Sequence, residues 1–185
     1  MATDFIITEA GDRIITEDGL FHLITEGSEM SIRYDIIEEL KSILEDITVA
    51  NGFNTNVAYV SDKLQIDHPQ EMDGDELPAC LILDEDETKE PLSFHSAADE
   101  DMLSTFTFSI TSIIFDRSGD TLLARTDLMA DVEKAIVGDA GLLALLIEPA
   151  SPTTVETDQG SFGNYSVFKQ TFECQYIYQH STGGA

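Results

Sequence analysis

The chain has 185 residues, 42% of them hydrophobic, with 36 acidic against 9 basic side chains and a formal net charge of −27. That length suits one compact domain with a little to spare. The charge excludes a nucleic-acid clamp or an anionic-lipid anchor, because both hold phosphate with clustered Lys and Arg.

The N-terminal stretch carries a short repeat. Ile-Thr-Glu recurs from Ile7, Ile15 and Ile24, each unit flanked by apolar residues and followed by Gly. β-Branched pairs bounded by Gly and Asp favour short strands joined by tight turns. Two or three such strands are marginal alone in water, so this ribbon needs a docking surface or stays a mobile arm. No secretory signal is expected here, since a basic n-region and a long apolar stretch are missing.

From Ser31 the period changes. Ile32, Ile36, Ile37, Leu40, Ile43, Leu44 and Ile47 recur at three- and four-residue steps, with acids filling the other face. This spacing predicts an amphipathic helix packed on a sheet, capped by Ser28 or Ser31 and ended at Asn51-Gly52. Val57–Val60 reads as a strand and residues 61–76 as a loop. Leu77–Leu83 reads as a buried strand with Pro78 at its start. The acidic run Asp84, Glu85, Asp86, Glu87 follows and reads as a solvated loop.

Residues 103–115 alternate Phe106, Phe108 and Ile110 against Thr105, Thr107, Ser109 and Thr111. Thirteen residues of period two make a strand of about 43 Å, which should overhang the body that anchors it. Residues 116–120 make a turn. A second helix is expected from Thr126 as cap through Ile136 to Gly138, with acids in its first turn. Leu142–Leu146 reads as an apolar turn and Thr153–Thr157 as a strand. Gly160–Asn164 makes a turn into a last long strand, Tyr165 to Tyr178, with Phe168, Phe172, Cys174, Tyr176 and Tyr178 on one face.

The element order predicts an α+β fold: a mixed, mainly antiparallel sheet packed by two main helices on one face, with an N-terminal β-ribbon extension. The expected divisions are an arm over 1–29, an α+β domain over 30–179 and a tail over 180–185.

Chemistry-bearing motifs are missing. The acidic run lacks the spacing of a calcium loop, and Asp73-Gly74-Asp75 does not complete one. His22, His68, His95 and His180 stand apart from one another and from Cys80 and Cys174, so no metal site and no cofactor are expected. The two cysteines read as buried inert thiols, and neither a nucleophile elbow nor a Gly-rich phosphate loop occurs. No catalytic residues are expected. What stands out is a surface property: overlong strands expose backbone donors and acceptors that a neighbour can satisfy.

The amphipathic helix Ile32–Ile47 with its exit Thr48–Thr55, the strand Leu77–Ile82, the long strand 103–115, the helix Asp127–Ile136 and the closing strand Phe172–Tyr178 together resemble the tail terminator (tail-completion) proteins of tailed bacteriophages. The resemblance covers roughly residues 31–178, and the repeat at 5–27 lies outside its usual pattern. It implies a homo-oligomeric ring, commonly six-fold, that caps the tail tube, stops its elongation and meets a neck or head-completion protein. It places the protein in the virion, with no membrane partner, and genomic DNA passing through the lumen without specific binding. Candidate lumen acids are Asp84, Glu85, Asp86 and Glu87; candidate inter-subunit contacts are Phe106, Phe108, Phe162 and Tyr165. A neck connector or minor tail protein is the runner-up. An acidic enzyme of another family and a halophilic soluble protein are the readings from other classes.

Overall fold

The structure, a computed structural model, describes residues 6–7, 13–17, 20–24, 32–62, 72, 74–91, 101–115, 121–158 and 165–179, the first three stretches as backbone only. The expected caps Ser28 and Ser31, the turns at 116–120 and 160–164, and the tail 180–185 lie outside the described residues. So does most of the loop at 61–76. The chain divides into two compact units, Met1–Ser31 and Ile32–Ala185.

In the first unit the isoleucines that open the repeats, at 7, 15 and 24, lie in three strands, β1 (Ile6–Ile7), β2 (Arg13–Glu17) and β3 (Leu20–Ile24), while Thr8, Glu9, Thr25 and Glu26 lie outside the described residues. They form an antiparallel sheet in the order β1-β2-β3, with Ile6 opposite Ile14 and Ile14 opposite Leu23.

The second unit is one five-stranded mixed sheet with three helices, an α+β fold. Helix α1 (Ile32–Glu45) buries Ile36, Leu40, Ile43 and Leu44 on the stripe that the three- and four-residue spacing predicts. After it, a short 3-10 turn over Val49–Asn51 ends at Gly52, whose φ of 87° is the left-handed conformation that glycine adopts without strain. Strand β4 (Tyr59–Ser61) follows, then β5 (Ala79–Pro91) and β6 (Asp101–Phe115). Helix α2 (Thr121–Gly138), helix α3 (Ala140–Leu145), β7 (Ser151–Thr157) and β8 (Tyr165–Gln179) complete the unit.

The strand order is β4-β5-β6-β8-β7, antiparallel except for β4, which pairs parallel to β5 over three residues. β6 pairs with β8 along all fifteen residues, from Asp101 opposite Gln179 to Phe115 opposite Tyr165. The expected overhang of a single long strand is therefore replaced by two long strands satisfying each other. On its other side β6 pairs with β5 from Met102 to Ile113.

One face of the sheet carries the helices. Phe106, Phe108, Ile110, Phe168, Phe172 and Tyr176 pack there with the buried stripes of α1 and α2. The rings of Phe108 and Phe172 stack at 5.4 Å, as their direct cross-strand pairing requires. A smaller cluster of Met72, Ala79, Leu81 and Ile113 sits on the opposite face near the start of β5.

Three expectations at the helices and the acidic run are corrected. α2 begins five residues before Thr126, so Thr126 lies inside the helix and its hydroxyl donates to the carbonyl of Leu122 at 2.8 Å. The acids expected in the first turn of α2 are accordingly further along it. The apolar turn at 142–146 is helix α3, which Asp139 caps by accepting from the Leu142 N–H at 2.7 Å. The acidic run is strand, not loop: β5 continues through it to Pro91.

Asp131 of α2 is 1% exposed and binds the chain leaving α1. Its carboxylate accepts the backbone N–H groups of Asn54 and Thr55 at 2.9 and 2.8 Å, together with the Thr55 hydroxyl at 2.8 Å. Lys134, one turn on, donates to the Gly52 carbonyl at 3.0 Å and lies over the Phe53 ring. The two main helices are thereby fastened at one end by polar bonds as well as by their apolar stripes.

Phe172→Ala is expected to lower the unfolding free energy by about 3–5 kcal/mol, because the stacked site between two long strands cannot collapse onto the void. Urea denaturation followed by circular dichroism measures it, and a loss below about 1 kcal/mol would contradict this packing.

Candidate functional site

Two features of the sheet bear on function: how its acids are held, and where its edges are left open. β5 and β6 slip register between Asp84 and Glu87, with Asp84 opposite Phe108 and Glu87 opposite Phe106. Three steps on β5 therefore match two on β6, a bulge that turns Asp84 and Glu87 onto the same, helix-bearing face. Arg33 from the first turn of α1 meets both. Its guanidinium grips the Asp84 carboxylate through two nitrogens and donates to Glu87 Oε2 at 3.0 Å. The cation also lies 4.9 Å from the centre of the Phe106 ring.

Glu87 is the most enclosed acid of the run, with its side chain 12% exposed. Besides Arg33 it accepts from Ser104 at 2.8 Å and from the Tyr176 hydroxyl, with Lys89 at 3.4 Å. Burial alone would raise its pKa; the hydrogen bonds from Tyr176 and Ser104 and the charge of Lys89 outweigh it and hold the carboxyl below its usual range. Tyr176 is pushed the other way, by burial and by that same bond. Glu85 faces the opposite side, where Lys169 at 2.5 Å and Ser109 at 2.7 Å hold it ionised and its pKa low. Asp86 is exposed.

So three of the four candidate lumen acids are paired with cations of the same chain. The aromatic candidates also change. Phe106 and Phe108 are fully buried in the subunit's own core, which removes them as contacts to a neighbour. Tyr165 is half-buried against the ring of Phe115 at 4.8 Å. Phe162 lies outside the described residues.

Cys80 and Cys174 are buried thiols, each raised to about 12, the first by burial and the second by burial and the charge of Glu173. A cavity of about 410 Å³ between α1 and the start of α3 is lined by Glu39, Ser42, Asp46, Asn51, Phe53 and Asp139 among others. None of the groups with shifted pKa lines it. Among the described residues no group of three or more His, Cys, Asp or Glu is placed to hold a metal ion. The side chain of His22 and all of His68, His95 and His180 lie outside them. Among the described residues no helix is long and apolar enough to cross a membrane.

The edges are the second feature. β4 covers only Ala79–Leu81 of β5, so among the described residues no strand pairs with the outer side of β5 from Ile82 to Pro91. β7 ends the sheet at the other side, and all seven of its residues are exposed.

No protein-family model matches the chain, and no curated protein does. Among solved structures it is similar to a chain of the virion of a native gene transfer agent particle. That match has 13% identity and a TM-score of 0.38, and covers 79% of this chain and 92% of the other.

Arg33→Ala is expected to destabilise the fold by about 1–3 kcal/mol, since it leaves Glu87 enclosed beside Asp84 with no guanidinium between them. Adding Glu87→Gln to that variant should restore part of the loss, and a double-mutant cycle read by urea unfolding gives the coupling. Independent, additive losses would show that the pair does not interact.

Acid should act through the same residues. Because folding lowers the pKa of Glu85 and Glu87, their contribution is complete above the unfolded carboxylate value near about 4.3 and is lost as pH falls through the depressed values. Relief of the overall negative charge works in the opposite direction. The wild type should therefore lose more stability between about pH 5 and 3 than Glu85→Gln/Glu87→Gln does, and parallel curves would refute the assignment.

Proposed function

We propose that this chain is a non-catalytic structural protein of a tailed-phage virion, a subunit of a ring that caps the tail tube and stops its elongation. In this reading the ring joins the tail to neck or head-completion proteins and lets genomic DNA pass. The observation that carries it is the pair of sheet edges: among the described residues no strand pairs with the outer side of β7 or with that of β5 from Ile82 to Pro91, and an unpaired edge is suited to meeting a copy of the subunit. The order of helices and long strands that resembles tail terminators supports it as well.

The charge fits the same role. Five of the six Lys and Arg side chains described are engaged within the subunit, at Asp84, Glu85, Glu87, Asp158 and the Gly52 carbonyl. Few cations among the described residues are left to hold phosphate, and the chain as a whole has 9 against 36 acids, so DNA threading a ring of such subunits would slide without being gripped. Of the run 84–87, Asp84 is exposed but held by Arg33, and Asp86 is the exposed member most available to a lumen.

Self-assembly of an acidic subunit works against its own repulsion, which reaches about 30 Å at 0.01 M salt and about 8 Å at 0.15 M. The full chain is expected to form a closed ring of fixed copy number, with the assembled fraction rising between those two salt concentrations. Native mass spectrometry and negative-stain imaging measure both. A monomer at every salt and at high protein concentration would overturn the ring.

A further inference from the structure

The two open edges of the sheet differ in chemistry. Both edges carry a bulge and a proline, at Asp84–Glu87 and Pro91 in β5 and at Pro152–Thr154 in β7, but the outer stretch of β5 adds five acids and Lys89, a charge that discourages it from pairing with its own kind. β7, Ser-Pro-Thr-Thr-Val-Glu-Thr, has a single charge in a chain of net −27, and is rich in the hydroxyl and β-branched residues that suit a strand. Two β5 edges facing each other would stack acid on acid. A β7 edge facing β5 would not.

Strand direction permits that seam. The four long elements alternate along the sheet, since β5, β6, β8 and β7 are each antiparallel to the next. With four strands, β7 therefore runs opposite to β5. A second copy that repeats the first along the sheet would place its β5 antiparallel to β7 of its neighbour, the pairing used by every strand pair here except β4–β5; a two-fold seam of like edges would be antiparallel too, so it is charge that separates the two.

We infer that subunits join head to tail through β7 of one copy and the open stretch of β5, Ile82–Pro91, of the next. This deepens the ring reading above and rests on it. Through the registers, Thr154 of β7 is level with Thr171, Ser109 and Leu83, whereas the open stretch of β5 is centred near Asp86 and Glu87. Each copy is then displaced along the strands by about 10 Å, at about 3.3 Å per residue. A stagger of this kind is what closure of a sheet on itself requires.

The sign of a charge added to β7 separates this seam from a two-fold one. Val155 is 47% exposed, so Val155→Asp and Val155→Lys should both fold, which matching urea midpoints confirm. Against an acidic β5, Val155→Asp is expected to weaken subunit association about fivefold, while Val155→Lys leaves it unchanged or strengthens it. Sedimentation velocity of the full chain at about 0.15 M salt reads the effect. Equal weakening by both variants would indicate β7 against β7 and overturn the seam, as would no effect of either on a wild type that does assemble. A wild type that stays monomeric overturns the ring reading itself, and the seam with it.

Discussion

Every element of the larger unit answers to β6. Backbone N–H and C=O groups removed from water must find partners, and β6 finds them on both sides, in β8 over its whole length and in β5 from Met102 to Ile113. Once β6 is fixed as the central strand, its alternation sorts the molecule into faces. Phe106, Phe108 and Ile110 turn toward one side, and the fully paired β8 adds Phe168, Phe172 and Tyr176 to it. Each such side chain gains about 1.5–3 kcal/mol on leaving water, so that face has to be covered. α1 and α2 supply the cover with the apolar stripes that their own spacing dictates.

The acids are governed by the same alternation and by one departure from it. With no extra residue in β5, Glu87 would turn to the opposite face from Asp84. The bulge brings both under Arg33 and leaves Glu85 for Lys169 on the other side. An enclosed carboxylate is costly unless it is paired and hydrogen-bonded, and Glu87 has two hydroxyl donors as well as its cations. Five of the six described Lys and Arg side chains are thus engaged within the subunit. The surface keeps the acid.

The long strands, α1 and the aromatic faces were legible in the sequence because each repeats a period over thirteen or more residues. What failed was short or depended on distant partners. The five-residue run Leu142–Leu146 is too brief to show a helical period. Thr126 has the chemistry of a cap, but its hydroxyl bonds back into a helix already begun. The acidic run looked solvated because the groups that hold it lie far away in the chain: Arg33 is 51 residues from Asp84, and Tyr176 is 89 from Glu87. Alternation showed that Phe106 and Phe108 share a face. It did not show that the helices cover that face, and so it did not exclude them as contacts to a neighbour. Asp131 stood in the pattern of α2 among Leu128, Val132 and Ala135, a charged residue at a core position, and that conflict was the signal that its carboxylate serves another segment.

An assembly made from such subunits divides its physics by distance. Repulsion between two acidic bodies acts over about a Debye length, so it governs how often copies meet and orients them as they approach. Main-chain bonds between strand edges act only at contact, near 2.9 Å, and govern how long copies stay together. Because the two do not share a length scale, surface acid can accumulate without weakening a formed seam in proportion. The constraint falls on the edges. An edge that pairs must be low in charge on at least one of its two sides, and in this sheet β7 is the side that meets it.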